Sequence, residues 1–214
     1  MIPFELGTLS PIQVRVLGTL IEKSLTTPEY YPLSLNSLTT GCNQKSSRYP
    51  VTDYFEADVL EACNQLKAVS MISLAISGSS RTSKFKHNFT SLLNLSEAEI
   101  TILGLLFLRG PLTPGEINSM SGRMHQFADL ESILNTIHQL ISKEEPLVKL
   151  LEKKPGQKEA RYTHLFGTFL DEDQPEKSNE ISDPTNTSLM ERIDKLEKEI
   201  EQLKSIVDQL KALL

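Results

Sequence analysis

No stretch of this 214-residue sequence is apolar for long enough to cross a bilayer. The longest such run, ITILGLLFL from Ile100 to Leu108, is interrupted by Thr101, and a spanning helix needs about 20 apolar residues. The start, MIPFELGTLS, has neither the basic nor the apolar region of a secretory signal. Both absences predict a cytoplasmic protein with no membrane partner. Cysteine is scarce as well: Cys42 and Cys63 stand 21 residues apart, which is neither a metal-knuckle spacing nor a disulfide framework. His125 and His138 have no i,i+4 partner of ligand type. There is no glycine-rich phosphate loop and no nucleophile elbow. The expectation is a protein that is not an enzyme and holds no cofactor and no metal.

An excess of positive charge is also missing. The net charge is −6, and it is unevenly spread. Between Asp171 and Thr187 six acids face only Lys177, and from Ser188 onward six acids face five bases. The first 170 residues are therefore neutral, which counts against a dedicated DNA binder, since such proteins are usually basic.

What is present is a duplication. LSPIQVRVLGTL from Leu9 and LSEAEITILGLL from Leu95 superpose at an offset of 86, matching Leu9, Ser10, Leu17, Gly18 and Leu20 with Leu95, Ser96, Leu103, Gly104 and Leu106. Ser10 with Pro11, and Ser96 with Glu99, are helix starts. Each copy continues with a Thr/Pro-rich turn and a short second helix, capped by Ser34 in one and by Thr113 with Pro114 and Glu116 in the other. A third helix follows. In the second copy Leu130, Ile133, Leu134, Ile137, Leu140 and Ile141 form one stripe; in the first, Val59, Leu60, Cys63 and Leu66 do so less cleanly. Two strand-like pieces then close each copy, MISLAIS with FKHNF and PLVKLLE with ARYTHLF.

Three helices and a hairpin, twice over, predict a mainly α fold with small β-hairpins (α+β): two tandem winged-helix domains followed by a C-terminal coiled-coil helix. The predicted boundaries are 1–90 and 91–170 for the two domains, 171–187 for an acidic flexible linker and 188–214 for the coiled coil. The first helix of the second copy is apolar nearly all round, so it needs cover on more than one side. The other copy is the expected cover, making one rigid body.

Between the second and third helices of the first copy lies TTGCNQKSSRYP, Thr39 to Pro50. Pro50 turns the chain out of the helical region at Tyr49. Cys42, on the apolar face with Leu35 and Leu38, reads as a buried core thiol. Lys45, Ser46, Ser47 and Arg48 read either as exposed donors for a ligand or as the solvated face of a turn.

At these segments the chain resembles the bacterial YceH family: TTPEYYPLSLNSL, CNQKSSRYPV, RGPLTPGE, RMHQFAD and KPGQKEARYTHLF occur in the family's order, and the resemblance extends to the C-terminal helix. It implies two winged-helix domains and supplies no activity, ligand or catalytic residue. The family pattern carries an acid after the arginine matching Arg48, whereas this chain has Tyr49.

The winged-helix plan suggests double-stranded DNA as a partner by analogy. Asp53, Glu56, Asp58 and Glu61 at the start of the first third helix, and Asp129 and Glu131 in the second, would repel phosphates. The hairpins suit DNA better, with Arg81, Lys84 and Lys86 in the first and Lys153, Lys154, Lys158 and Arg161 in the second. With Lys45 and Arg48 they make the candidate nucleic-acid-binding set. A protein-docking module is the alternative. His87 and His164 follow Phe85 and Tyr162 at the same spacing, which reads as repeated packing.

The C-terminal segment carries the sharpest periodicity. Ile193, Ile200 and Val207 fall at heptad position a and Leu189, Leu196, Leu203 and Leu210 at d, a pattern that favours a parallel homodimer.

Overall fold

Ser34, Ser96 and Thr113 each accept a hydrogen bond from the backbone N–H three residues on, and the Ser10 N–H donates to Gln13 Oε1 at 2.7 Å. These local bonds begin the helices. The computed structural model describes residues 6–75, 83–153 and 159–167. In the first copy α1 spans Pro11–Thr26, a 3-10 turn Pro28–Tyr30, β1 Leu33–Ser34, α2 Leu35–Cys42, α3 Glu56–Ala68, β2 Ile72–Ala75 and β3 Lys84–His87. A short α4, Phe89–Leu92, leads into the second copy: α5 Glu97–Arg109, α6 Pro114–Ser121, α7 Leu130–Ile141, β4 Val148–Leu150 and β5 Tyr162–His164. The architecture is mixed helix with small antiparallel sheets.

The sheets repeat as well. β2, β3 and β1 form one sheet in the order β1-β3-β2, with Leu33 opposite Phe85 and Ile72 opposite His87. β4 pairs β5, with Val148 opposite His164. Leu112 exchanges backbone hydrogen bonds with Tyr162 at 3.0 and 2.8 Å, so it takes the place in the second copy that Leu33 holds in the first.

α1 and α5 pack on each other at their matched glycines. A Cβ on Gly18 would lie 2.9 Å from both Leu108 and Phe107, and one on Gly104 would lie 2.8 Å from Ile21 Cγ2. Ile21 and Phe107 are themselves 86 residues apart, so the contact is reciprocal. Any side chain at either glycine would force the helices apart, against a core that tolerates overpacking poorly. Ile102, Leu103 and Leu106 are buried, which accounts for the all-round apolar pattern of α5. Phe166 stacks on Phe89 and Phe107, at 5.4 and 5.2 Å between ring centroids, and its carbonyl accepts from the Leu9 N–H. The end of the second copy is thereby fastened to the start of the first. Both copies fall in one compact unit that ends at Leu170. The predicted linker (171–187) and coiled coil (188–214) lie outside the described residues.

Three local expectations need correction. α3 begins at Glu56 and not near Asp53, because the Asn43 side chain holds the Tyr54 backbone extended, accepting from its N–H and donating to its carbonyl, each at 2.8 Å. Leu60 and Leu130 are exposed, at 39% and 46%, while the rest of each stripe is buried or half-buried. Leu130 is the first residue of α7, ahead of the turn that meets the core.

Candidate functional site

The connection from Asn43 to Phe55 is built from the inside. Arg48 is buried, which corrects its expected role as an exposed donor. Its guanidinium donates to both Glu22 carboxylate oxygens, at 3.1 and 2.6 Å, and to the carbonyls of Gly41 (3.0 Å) and Ser47 (2.9 Å). Burial pushes the Glu22 carboxyl up, but the hydrogen bonds and charge of Arg48, with Lys23 behind them, hold it below the usual carboxylate range. Arg15, also buried, donates to the carbonyls of Cys42 and Pro50 at 3.0 and 2.6 Å. Burial lowers its pKa. Two buried arginines thus serve the last carbonyls of α2, at Gly41 and Cys42, and two carbonyls of the irregular segment that follows, at Ser47 and Pro50. The Tyr49 N–H crosses to the Leu108 carbonyl of the second copy, at 2.8 Å.

Held in this way, the segment turns apolar groups outward. Tyr49 is 48% exposed, Val51 57% and Phe55 77%. Phe55 is also the N-cap residue of α3 and makes no capping hydrogen bond, at a position where Ser, Thr, Asp or Asn would stabilise the helix by about 1 kcal/mol. Two local rules are broken at one residue. Asp53 within the segment and Glu56, Asp58 and Glu61 just after it are exposed acids.

The remaining candidate cations are scattered. Lys45, Lys86 and Lys153 are exposed and Lys84 is half-buried. Lys84 and Lys86 sit on either side of the inward Phe85 along β3. Arg161 forms a bidentate pair with Glu116, both bonds at 2.7 Å, and donates to the Pro111 carbonyl. Glu116 is the capping-box acid of α6, so Arg161 is tied to a structural group. Arg81, Lys154 and Lys158, and the heptad residues Leu189 to Leu210, lie outside the described residues.

Cys42 is fully buried, with Sγ 3.6 Å from Thr19 Oγ1. Burial pushes its thiol up to about 11, so it is not a nucleophile near neutral pH. His87 and His164 are built into the packing of their copies. His87 Nε2 lies 3.0 Å from Ser24 Oγ, and His164 Nδ1 accepts from the Phe166 N–H at 3.3 Å. Burial lowers both to about 4. The outward residues Tyr49, Val51 and Phe55 were missed by sequence reasoning, and so were Arg15 and Glu22. The available signal was an extended stretch with apolar residues at positions 49, 51 and 55 that fits no helical stripe.

A family model described as "Protein of unknown function, DUF480" matches residues 9–157. The chain belongs to this family. It is 43% identical over 211 residues to a UPF0502 protein from Aliivibrio salmonicida, covering 94% of this chain and 95% of the relative. It is 43% identical over 213 residues to a UPF0502 protein from Shewanella halifaxensis, covering 94% and 99%. A UPF0502 protein from Shewanella oneidensis is 41% identical over 215 residues, covering 94% and 97%. This is the YceH-type group that the motifs resemble. The DUF480 match includes α1 to β4 and so takes in both copies. Among the described residues, no helix is long and apolar enough to cross a membrane.

Proposed function

We propose that this DUF480 protein is a non-enzymatic tandem winged-helix module that docks a protein partner through the segment from Tyr49 to Phe55. The observation that carries this reading is Phe55, exposed by 77% at an uncapped helix start. Folding gains nothing from either feature, and local rules are most often broken at functional positions. Exposed aromatics are the usual anchors of interfaces. The acids around the segment call for a partner whose apolar pocket is rimmed by Lys or Arg. A photoreactive phenylalanine analogue at position 55 is expected to cross-link one stoichiometric protein, with the product lost in a Tyr49→Ala/Val51→Ala background. Cross-linking spread over many proteins, or unaffected by those two changes, would count against the docking surface.

Double-stranded DNA bound through the hairpins is the second reading, favoured by the exposed Lys86 and the half-buried Lys84 on either side of Phe85 in β3. It predicts duplex binding that weakens steeply with salt and is lost in Lys84→Ala/Lys86→Ala. The acidic outward face of α3 argues against insertion of that helix in a groove.

The heptad at 188–214 adds a parallel homodimer to this proposal. Arg192 would face Glu197 of a second copy, and Glu199 would face Lys204. Light scattering is expected to give a dimer for the full chain and a folded monomer after truncation before Ser188. A monomeric full chain at tens of micromolar would remove the dimer from the proposal.

A further inference from the structure

The C-terminal ends of α1, α5 and α6 and the turn after α2 enclose a crevice of about 110 Å3. Lys23, Arg109 and Arg123 line it, with Ser46 and Ser47 from the turn and Glu22 as the single carboxylate. Lys23 and Arg109 are 86 residues apart, the offset of the duplication, so the crevice forms where the two matched helix ends meet.

Cations at a helix C-terminus ordinarily serve its last carbonyls. Here several of those carbonyls have other donors. The Lys23 carbonyl accepts from the Thr27 N–H, Leu106 from Gly110, Leu108 from Tyr49, and Ser121 from Met124 and His125. Glu22 is equally committed, with both oxygens held by Arg48 and one 3.3 Å from Lys23 Nζ. Arg109 is half-buried and Arg123 exposed. Among the described residues, neither guanidinium has a hydrogen bond or an ion pair. A charge withdrawn from water is normally paired, and burial already lowers the Arg109 pKa. Lys23 is held by Glu22 at 3.3 Å and by Gln44 Oε1 at 3.2 Å, so the two guanidiniums of Arg109 and Arg123, with only the attraction of the committed Glu22 on Arg109, are the positive charge the crevice holds in reserve.

We propose that this crevice is a binding site for one phosphate-like oxyanion, either free phosphate or the terminal group of a phosphate monoester. The guanidinium forks of Arg109 and Arg123 would donate to its oxygens, Lys23 would add a point charge, and the Ser46 and Ser47 hydroxyls would complete the shell. The space accommodates several waters, hence one tetrahedral head group, and leaves the remainder of a larger ligand outside. The site uses none of the hairpin lysines and none of the outward residues Tyr49, Val51 and Phe55.

The test uses the full chain and inorganic phosphate as the probe, by titration calorimetry and thermal unfolding against chloride at matched ionic strength. Saturable binding and a rise in Tm are expected, since a ligand that binds only the folded state stabilises it. Arg109→Gln is expected to weaken phosphate binding about tenfold or more, Arg109→Lys to retain part of it, and Lys67→Gln, on the outside of α3, to leave it unchanged. Should Arg109→Gln fold poorly, Arg123→Gln carries the test, because Arg123 is exposed and its loss leaves no cavity. A short duplex without terminal phosphates is expected not to displace the probe; displacement would place the oxyanion on a nucleic-acid backbone and overturn the monoester assignment. No effect of phosphate beyond that of chloride, or undiminished affinity in both arginine variants, would overturn the site itself.

Discussion

Arg48→Ala is expected to lower the free energy of unfolding by about 3–5 kcal/mol, the usual cost of removing one partner from a buried ion pair. The side chain of Arg48 is 0% exposed and that of Glu22 14%, so the carboxylate left behind has little access to water and keeps only Lys23, 3.3 Å away, as a partner. The carbonyls of Gly41 and Ser47 lose a donor at the same time. Replacing both partners with apolar residues, Arg48→Met with Glu22→Leu, is expected to recover much of the loss, because no uncompensated charge remains. Urea unfolding reads both results. A loss below about 1 kcal/mol in Arg48→Ala would mean that the pair behaves like an ordinary surface salt bridge. The pair also sets a pH dependence. The folded-state pKa of Glu22 is depressed from 4.5, so its contribution is complete above that value and is lost as pH falls through the lower folded value.

A larger acid effect comes from His87 and His164. Both are lowered from 6.5 to about 4 by burial. Between those pH values the unfolded chain takes up a proton at each histidine and the folded chain does not. Stability therefore falls as pH drops from about 6.5 and levels off near 4, where the folded histidines begin to protonate. At about 1.4 kcal/mol per pKa unit, each histidine contributes on the order of 3 kcal/mol to that loss. The expected measurement is a steep decline in unfolding free energy across this window. His87→Gln and His164→Gln should each flatten it, even if each lowers stability at neutral pH. An unchanged slope in the double variant would show that other groups carry the transition. The matched spacing of the histidines after Phe85 and Tyr162 marked them in the sequence as repeated packing; that their charge is excluded from the core follows from the burial.

The proposed functions draw on different parts of the molecule. Docking rests on Phe55 and its neighbours, DNA contact on Lys84 and Lys86, and the oxyanion crevice on Arg109 and Arg123. The variants named for each leave the residues of the others in place, so the three outcomes separate.

The family, the repeated segments, the six main helices, the two hairpins and most of the core were legible in the sequence, whereas the 3-10 turn, β1 and α4 were not. Caps and stripes are written at spacings of three and four residues, so Ser96 with Glu99, Thr113 with Glu116, and Ile133 with Ile137 declare themselves locally. The matched Gly18 and Gly104 were visible as letters, but their reason, mutual close packing of α1 and α5, was not. The cations were the weakest part of the reading. Whether Arg48 or Arg161 faces water depends on Glu22, 26 residues away, and on Glu116, 45 residues away, and neither pairing leaves a local trace. The same holds for Phe55. By itself the sequence marks it as one more apolar residue, and only the tertiary structure, by holding Asn43 against Tyr54 and Arg15 against the carbonyls of Cys42 and Pro50, turns it outward.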